Sequence, residues 1–173
     1  EIIGHKKIDS AYILDVILGS EKARGALKQA IELPVIYLPS KDVYKPKDSV
    51  RFGEPDRELH HIFPRKMLTT NWKPQHYQTY YGNGDDEAIK EARTFVNGLA
   101  NLTPVKKATN NEWKDKIPSV AIKGRIKKGN AIWTERFVTD PAYDALKNDK
   151  FADFIQIRAE TITKWLIDQT KVK

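Results

Sequence analysis

Residues 57–63, Arg-Glu-Leu-His-His-Ile-Phe, make a short extended run closed by Pro64, whose ring breaks the strand and can open a short helix over 64–68. A second strand-like piece, Asn-Leu-Thr-Pro-Val, follows much later at 101–105. Thr109-Asn110-Asn111-Glu112 then has the Thr-x-x-Glu pattern of a capping box, starting a helix that must finish near Pro118. The order strand, excursion, strand, helix start allows a compact ββα unit over about residues 57–118. In such a unit His60 and His61 sit at the end of the first strand, with Asn110 in the first helical turn opposite them. Neighbours on a strand point to opposite sides, so the two histidines can serve different purposes.

The rest of the chain reads mainly as helix. Ile8, Tyr12, Ile13, Val16 and Ile17 recur at helical spacing, and Gly19 ends that helix. Ser20 is placed to cap a second helix over 21–33, which Pro34 should stop. Residues 39–56 read as a loop with room for a short strand. Ala88, Ile89, Ala92, Phe95, Val96 and Leu99 mark a helix at about 86–98, inserted inside the ββα unit. Residues 123–130 read as a basic turn, and Asp140-Pro141 opens a further helix. In a long closing helix, Phe151, Phe154, Ile155, Ile162, Trp165 and Leu166 line one face, with Arg158 in its middle. The expected fold class is α+β, mostly helical, in a single domain spanning 1–173.

Hydrophobic residues make up 40% of the 173, which suits a folded globule. No apolar run approaches the ~20 residues that cross a bilayer, so no membrane association is expected. The chain opens on Glu1 without an apolar leader, and reads as a fragment with a further domain upstream. Cysteine is absent, which excludes disulfides and thiolate zinc sites and suits a reducing cytoplasm. A net charge of +7 favours an anionic partner, nucleic acid being the commonest. There is no Gly-x-x-x-x-Gly-Lys loop, so nucleotide hydrolysis is not expected.

Phosphodiester cleavage asks for a base that titrates near neutrality and a divalent cation on the phosphate. A neutral imidazole with an amide oxygen is a sparse ligand set that suits Mg²⁺ or Mn²⁺. The elements Glu-Leu-His-His-Ile-Phe-Pro, Ala-Asn-Leu-Thr-Pro-Val and Thr-Asn-Asn-Glu-Trp-Lys-Asp-Lys-Ile-Pro-Ser resemble the HNH, or His-Me finger, nucleases. More narrowly, with the closing Phe-Ala-Asp-Phe and Arg158-Ala159, they resemble the C-terminal HNH domain of GmrSD-type modification-dependent restriction enzymes.

That resemblance implies a ββα-metal finger and a DNA endonuclease of prokaryotic defence, with an upstream domain or partner choosing the target. It makes His61 the general base, His60 and Asn110 the ligands of Mg²⁺ or Mn²⁺, and Asn101 a brace for the loop holding His61. Asn110 stands where many members carry a histidine. Arg158 is either a buried or snorkelling structural arginine, or a contact of the scissile phosphate or the active-site backbone. Arg65, Lys66, Lys106, Lys107, Arg125, Lys127 and Lys128 are either a solvated face or contacts to DNA phosphates. Trp72, Tyr77, Tyr80 and Tyr81 suit packing, with base stacking as the alternative. A different HNH enzyme, or a non-catalytic DNA-binding module on the same fold, is the rival reading.

Overall fold

The computed structural model describes residues 8–66, 90 and 92–170. Helices dominate, and the strands form two antiparallel two-stranded sheets, so the arrangement is α+β. Helix α1 (Ser10–Leu18) starts where Asp9 accepts from the Tyr12 amide, and ends at Gly19, whose φ of 89° suits a residue without a Cβ. Ile8 lies outside it and is exposed, not on the core face its spacing suggested. Ser20 does not cap the next helix, because its amide and hydroxyl both bond back to the Asp15 carbonyl. Helix α2 (Gly25–Glu32) begins later, after Arg24. Pro34 does not stop the coil either. Leu33–Tyr37 continues as a wider π-turn, closed by the Leu38 amide on the Leu33 carbonyl at 3.1 Å, and this change of hydrogen-bond spacing accommodates the ring.

The loop at 39–56 holds a small hairpin, β1 (Ser40–Lys41) against β2 (Ser49–Val50). Strand β3 (Arg57–His61) pairs antiparallel with β4 (Leu102–Lys106), with Arg57 opposite Lys106 and His61 opposite Leu102. Helix α3 (Lys107–Trp113) follows directly, then α4 (Pro118–Ala121), α5 (Ala131–Glu135), α6 (Asp140–Lys147) and α7 (Phe151–Thr170). The short helices α4 and α5 flank the expected basic turn, and neither is long enough to show a period in sequence. The inserted helix is helical at residues 90 and 92–95, has turned by 96, and is followed by a 3₁₀ turn, Leu99–Asn101. Of the helix expected at 64–68, residues 65 and 66 are helical, and 67–68 lie outside the described residues.

The capping box at 109–112 is corrected by the structure. Helix α3 starts at Lys107, so Thr109 lies inside its first turn, buried, with its hydroxyl donating to Asp42 Oδ1 at 2.7 Å. Asp42, from the β1–β2 loop, caps from a distance. Its Oδ2 accepts from the Lys106 amide at 2.8 Å, and Oδ1 accepts from the Tyr44 and Lys45 amides at 2.9 and 3.0 Å. Asp42 has no exposed surface. A carboxylate there satisfies free donors and complements the positive end of the helix.

Helix α7 gathers the core, burying Phe151, Phe154, Ile155, Ala159, Ile162 and Leu166 among α1, α6 and the 99–101 turn. Phe63, just past β3, packs on Phe151 and Phe154 at ring separations of 5.3 and 5.4 Å, which seats the end of the strand on that helix. At Gly98 a Cβ would come within 2.4 Å of the Leu18 carbonyl oxygen, so the end of α1 lies directly on the backbone between Asn97 and Leu99. Among the described residues no helix is long and apolar enough to cross a membrane.

Replacing Asp42 with Ala strands four donors in a buried place. The expected loss is about 3–5 kcal/mol in urea denaturation, with Asp42→Asn losing less. An unchanged midpoint for Asp42→Ala would show that the distant cap contributes nothing.

Candidate functional site

His60 and His61 open onto a cleft of about 620 Å³ lined by Leu59, Pro64, Arg65, Lys66, Asn110, Asn111, Lys114 and Asp115 as well. The strand alternation separates the two rings. His60 points with Glu58 toward α3, where its ring is buried against Trp113 at 4.7 Å. His60 Nδ1 and Asn110 Oδ1 face each other at 2.5 Å. Burial pulls His60 down to about 4, so its imidazole is neutral at physiological pH.

Which end of the Asn110 amide faces His60 is a chemical matter, since the two ends look alike in shape. Glu58 decides it. Its carboxylate only accepts, and the Asn110 Nδ2 donates to Glu58 Oε2, so the amide oxygen is turned to the histidine. With the amide oxygen accepting, the contact is a hydrogen bond donated by His60 Nδ1–H beside the open cleft, and a cation seated between the two atoms would need the ring in its other neutral tautomer, with the proton on Nε2. This donor set fits a hard divalent cation that keeps most of its own waters. Among the described residues no three or more His, Asp or Glu side chains converge as a group. The His60 Nε2 is buried with no hydrogen-bond partner among the described residues.

His61, on the other face of β3, places Nε2 3.3 Å from Asn97 Oδ1, at the end of the inserted segment. Burial, and then the nearby charge of Arg65, depress its pKa, against the raising effect of the Asn97 bond. With the Nε2 proton donated to Asn97, Nδ1 carries the free lone pair.

Asn101 has no exposed surface and reaches no part of the cleft. Its Oδ1 accepts from the Phe63 amide at 2.8 Å, while its Nδ2 donates to the Phe63 and Val96 carbonyls at 3.0 and 2.9 Å. The Ile62 amide donates to the Asn101 carbonyl at 2.8 Å. The loop just past His61 is therefore clamped to the turn before β4. Arg158 does not reach the cleft either, so a contact with a scissile phosphate is ruled out for it. It is wholly buried, and Nη1 donates to the carbonyls of Leu99, Ala100 and Leu102 at 3.3, 2.6 and 2.9 Å, while Nε donates to that of Arg136 at 3.0 Å. It holds the turn that carries Asn101.

The basic residues divide. Arg65 and Lys66 line the cleft, with Lys66 3.8 Å from Asp115. Lys106 does not serve the cleft. It lies at the opposite end of the ladder from His61 and is claimed by Glu54 and Asp56, both at 2.8 Å, whose carboxyls it holds below their usual range. Lys128 is paired with Asp144 at 2.5 Å, and Arg125 with Glu112, over the Tyr44 ring. Lys107 and Lys127 are exposed but are not among the residues lining the cleft. Trp72, Tyr77, Tyr80 and Tyr81 lie outside the described residues. Sequence reading missed Glu58, Asn97 and Lys114. Glu58 was within reach, because it lies two residues before His60 and so on the same face of β3. Comparisons with protein-family models, with curated proteins and with solved structures find no match to the chain.

Asn101→Ala removes the clamp on residue 63 and leaves its backbone groups unpaired in the core. A loss of about 2–4 kcal/mol is expected, together with faster hydrogen exchange at the Phe63 amide. Exchange at Phe63 unchanged from the parent would remove Asn101 from this role.

Proposed function

We propose that this chain carries an HNH-type nuclease centre, a ββα-metal finger formed by β3, β4 and α3, that hydrolyses phosphodiester bonds in DNA with Mg²⁺ or Mn²⁺. The observation that carries the reading is the facing pair of His60 Nδ1 and Asn110 Oδ1 beside an open basic cleft, with His61 on the opposite strand face of the same cleft. It agrees with the motif resemblance, in which these same three positions do the chemistry.

His60 and Asn110 would hold the divalent ion, which supplies charge neutralisation at the scissile phosphate and the leaving oxygen. Burial keeps His60 neutral, the form in which an imidazole can ligate. Glu58 orients Asn110 so that it offers oxygen, the donor a hard ion takes. His61 acts as the general base: Asn97 holds its Nε2 proton, and Nδ1 takes a proton from the attacking water. Asn101 and Arg158 keep the backbone around His61 in place without touching substrate. Arg65 and Lys66 bind the flanking phosphates. The products would be 5′-phosphate and 3′-hydroxyl ends, and the role is cleavage of foreign DNA in prokaryotic defence, with target choice made by another domain or protein.

Supercoiled plasmid incubated with Mg²⁺ or Mn²⁺ should be nicked or linearised, and His61→Ala should be at least about 100-fold slower, the scale of general-base catalysis. Equal rates for the two proteins would sink the mechanism. Asn110→Ala should lose Mn²⁺ affinity measured by calorimetry. Glu58→Gln should lose roughly 10–100-fold, because a glutamine lets the Asn110 amide turn over. Parental Mn²⁺ affinity in both variants would refute the ligand assignment.

A further inference from the structure

Helix α3 ends against the cleft in a tight reversal. The Lys116 amide donates to the Trp113 carbonyl at 3.1 Å, and Lys114, the second residue of the turn, has φ 47° and ψ −125°. These angles define a type II′ turn, whose second position favours glycine because a Cβ is crowded there. The chain uses glycine at five other left-handed positions among the described residues, Gly19, Gly25, Gly53, Gly124 and Gly129. Three non-glycine residues take positive φ, and two have side chains tied into the fold. Asp149 accepts from the Ser119 amide at 2.9 Å and from its hydroxyl at 2.5 Å. Phe137 is buried against Trp165.

Lys114 differs from both. Its side chain is exposed, has no hydrogen-bond or ion-pair partner among the described residues, and lines the cleft with His60, His61 and Asn110. Among the described residues that side chain makes no hydrogen bond or ion pair that would offset a strained backbone, and it stands at the cleft. Its neighbour Asp115 lies 3.8 Å from Lys66, an exposed pair at the same cleft.

We propose that Lys114 is a contact for a DNA backbone phosphate, held at the cleft by a strained turn in which glycine would be the more stable residue. The assignment rests on the nuclease reading for the identity of the anion, but the strain stands without it.

The test uses the full chain in a His61→Ala background, so that DNA stays intact. Thermal unfolding and fluorescence anisotropy with a duplex oligonucleotide over a salt series are read for Lys114→Gly, Lys114→Ala and Lys114→Arg. Lys114→Gly should raise Tm by about 2–4 °C, while Lys114→Ala, which keeps the Cβ, should not. Both should bind duplex more weakly, with the slope of log K against log salt reduced by about 0.9, the signature of one lost phosphate contact. Lys114→Arg should restore the slope. A Lys114→Gly protein no more stable than its parent removes the strain and overturns the proposal. A parent that binds duplex while Lys114→Ala keeps the full slope overturns this assignment alone. A parent that binds no duplex overturns the nuclease reading with it.

Discussion

The carboxamide of Asn101 is the interaction on which the site depends. It uses its oxygen and its nitrogen against the amide and carbonyl of one residue, Phe63, and adds a bond to Val96. An amide matched in this way continues the β3–β4 ladder one step past the last strand pair, where Ile62 already donates to the Asn101 backbone. No water competes, because Asn101 is fully buried. Behind it, Arg158 takes the carbonyls of Leu99, Ala100 and Leu102, the first of which also accepts the Leu102 amide that closes the 3₁₀ turn. The chain of restraint runs from α7 through Arg158 to the turn, through Asn101 to residues 62–63, and so to His61.

Two further buried polar residues join distant segments in the same way. Asp42 ties the β1–β2 loop to the start of α3. Arg136 ties β4 to β1, donating to Thr103, Pro104, Ser40 and Lys41. Burial pulls Arg136 and Arg158 down to about 10 and 9, which leaves both charged at neutral pH. Apolar packing of α7 supplies the bulk of the cohesion but is non-directional. Directed hydrogen bonds from buried groups set the register that brings His60, on a strand, opposite Asn110, on a helix.

Much of the fold was legible where a local rule was enough. The apolar stripe of α7, the stop at Gly19 and the strand at 57–61 follow from periodicity and from glycine's tolerance of positive φ. The local rules failed where a remote group took over their task. Thr109 and Glu112 carry a capping pattern, yet Asp42 caps the helix and Thr109 bonds to it from inside. Lys106 and Lys128 looked available for DNA until Glu54, Asp56 and Asp144 were brought beside them.

The sequence by itself determined that two histidines share a strand with opposite orientations, that Asn110 lies on a short helix soon after a second strand, and that Arg158 falls on the apolar face of the last helix. Each is a matter of spacing along the backbone, which has fixed periods of 2 and 3.6. Tertiary structure decided that Glu58 turns the Asn110 amide, that Asn97 meets His61, that Arg158 serves backbone carbonyls, and that Lys114 stands at the cleft in a glycine-like conformation. Those pairings depend on the direction and distance between groups far apart in the chain. Such distances exist only once the core has closed around α7.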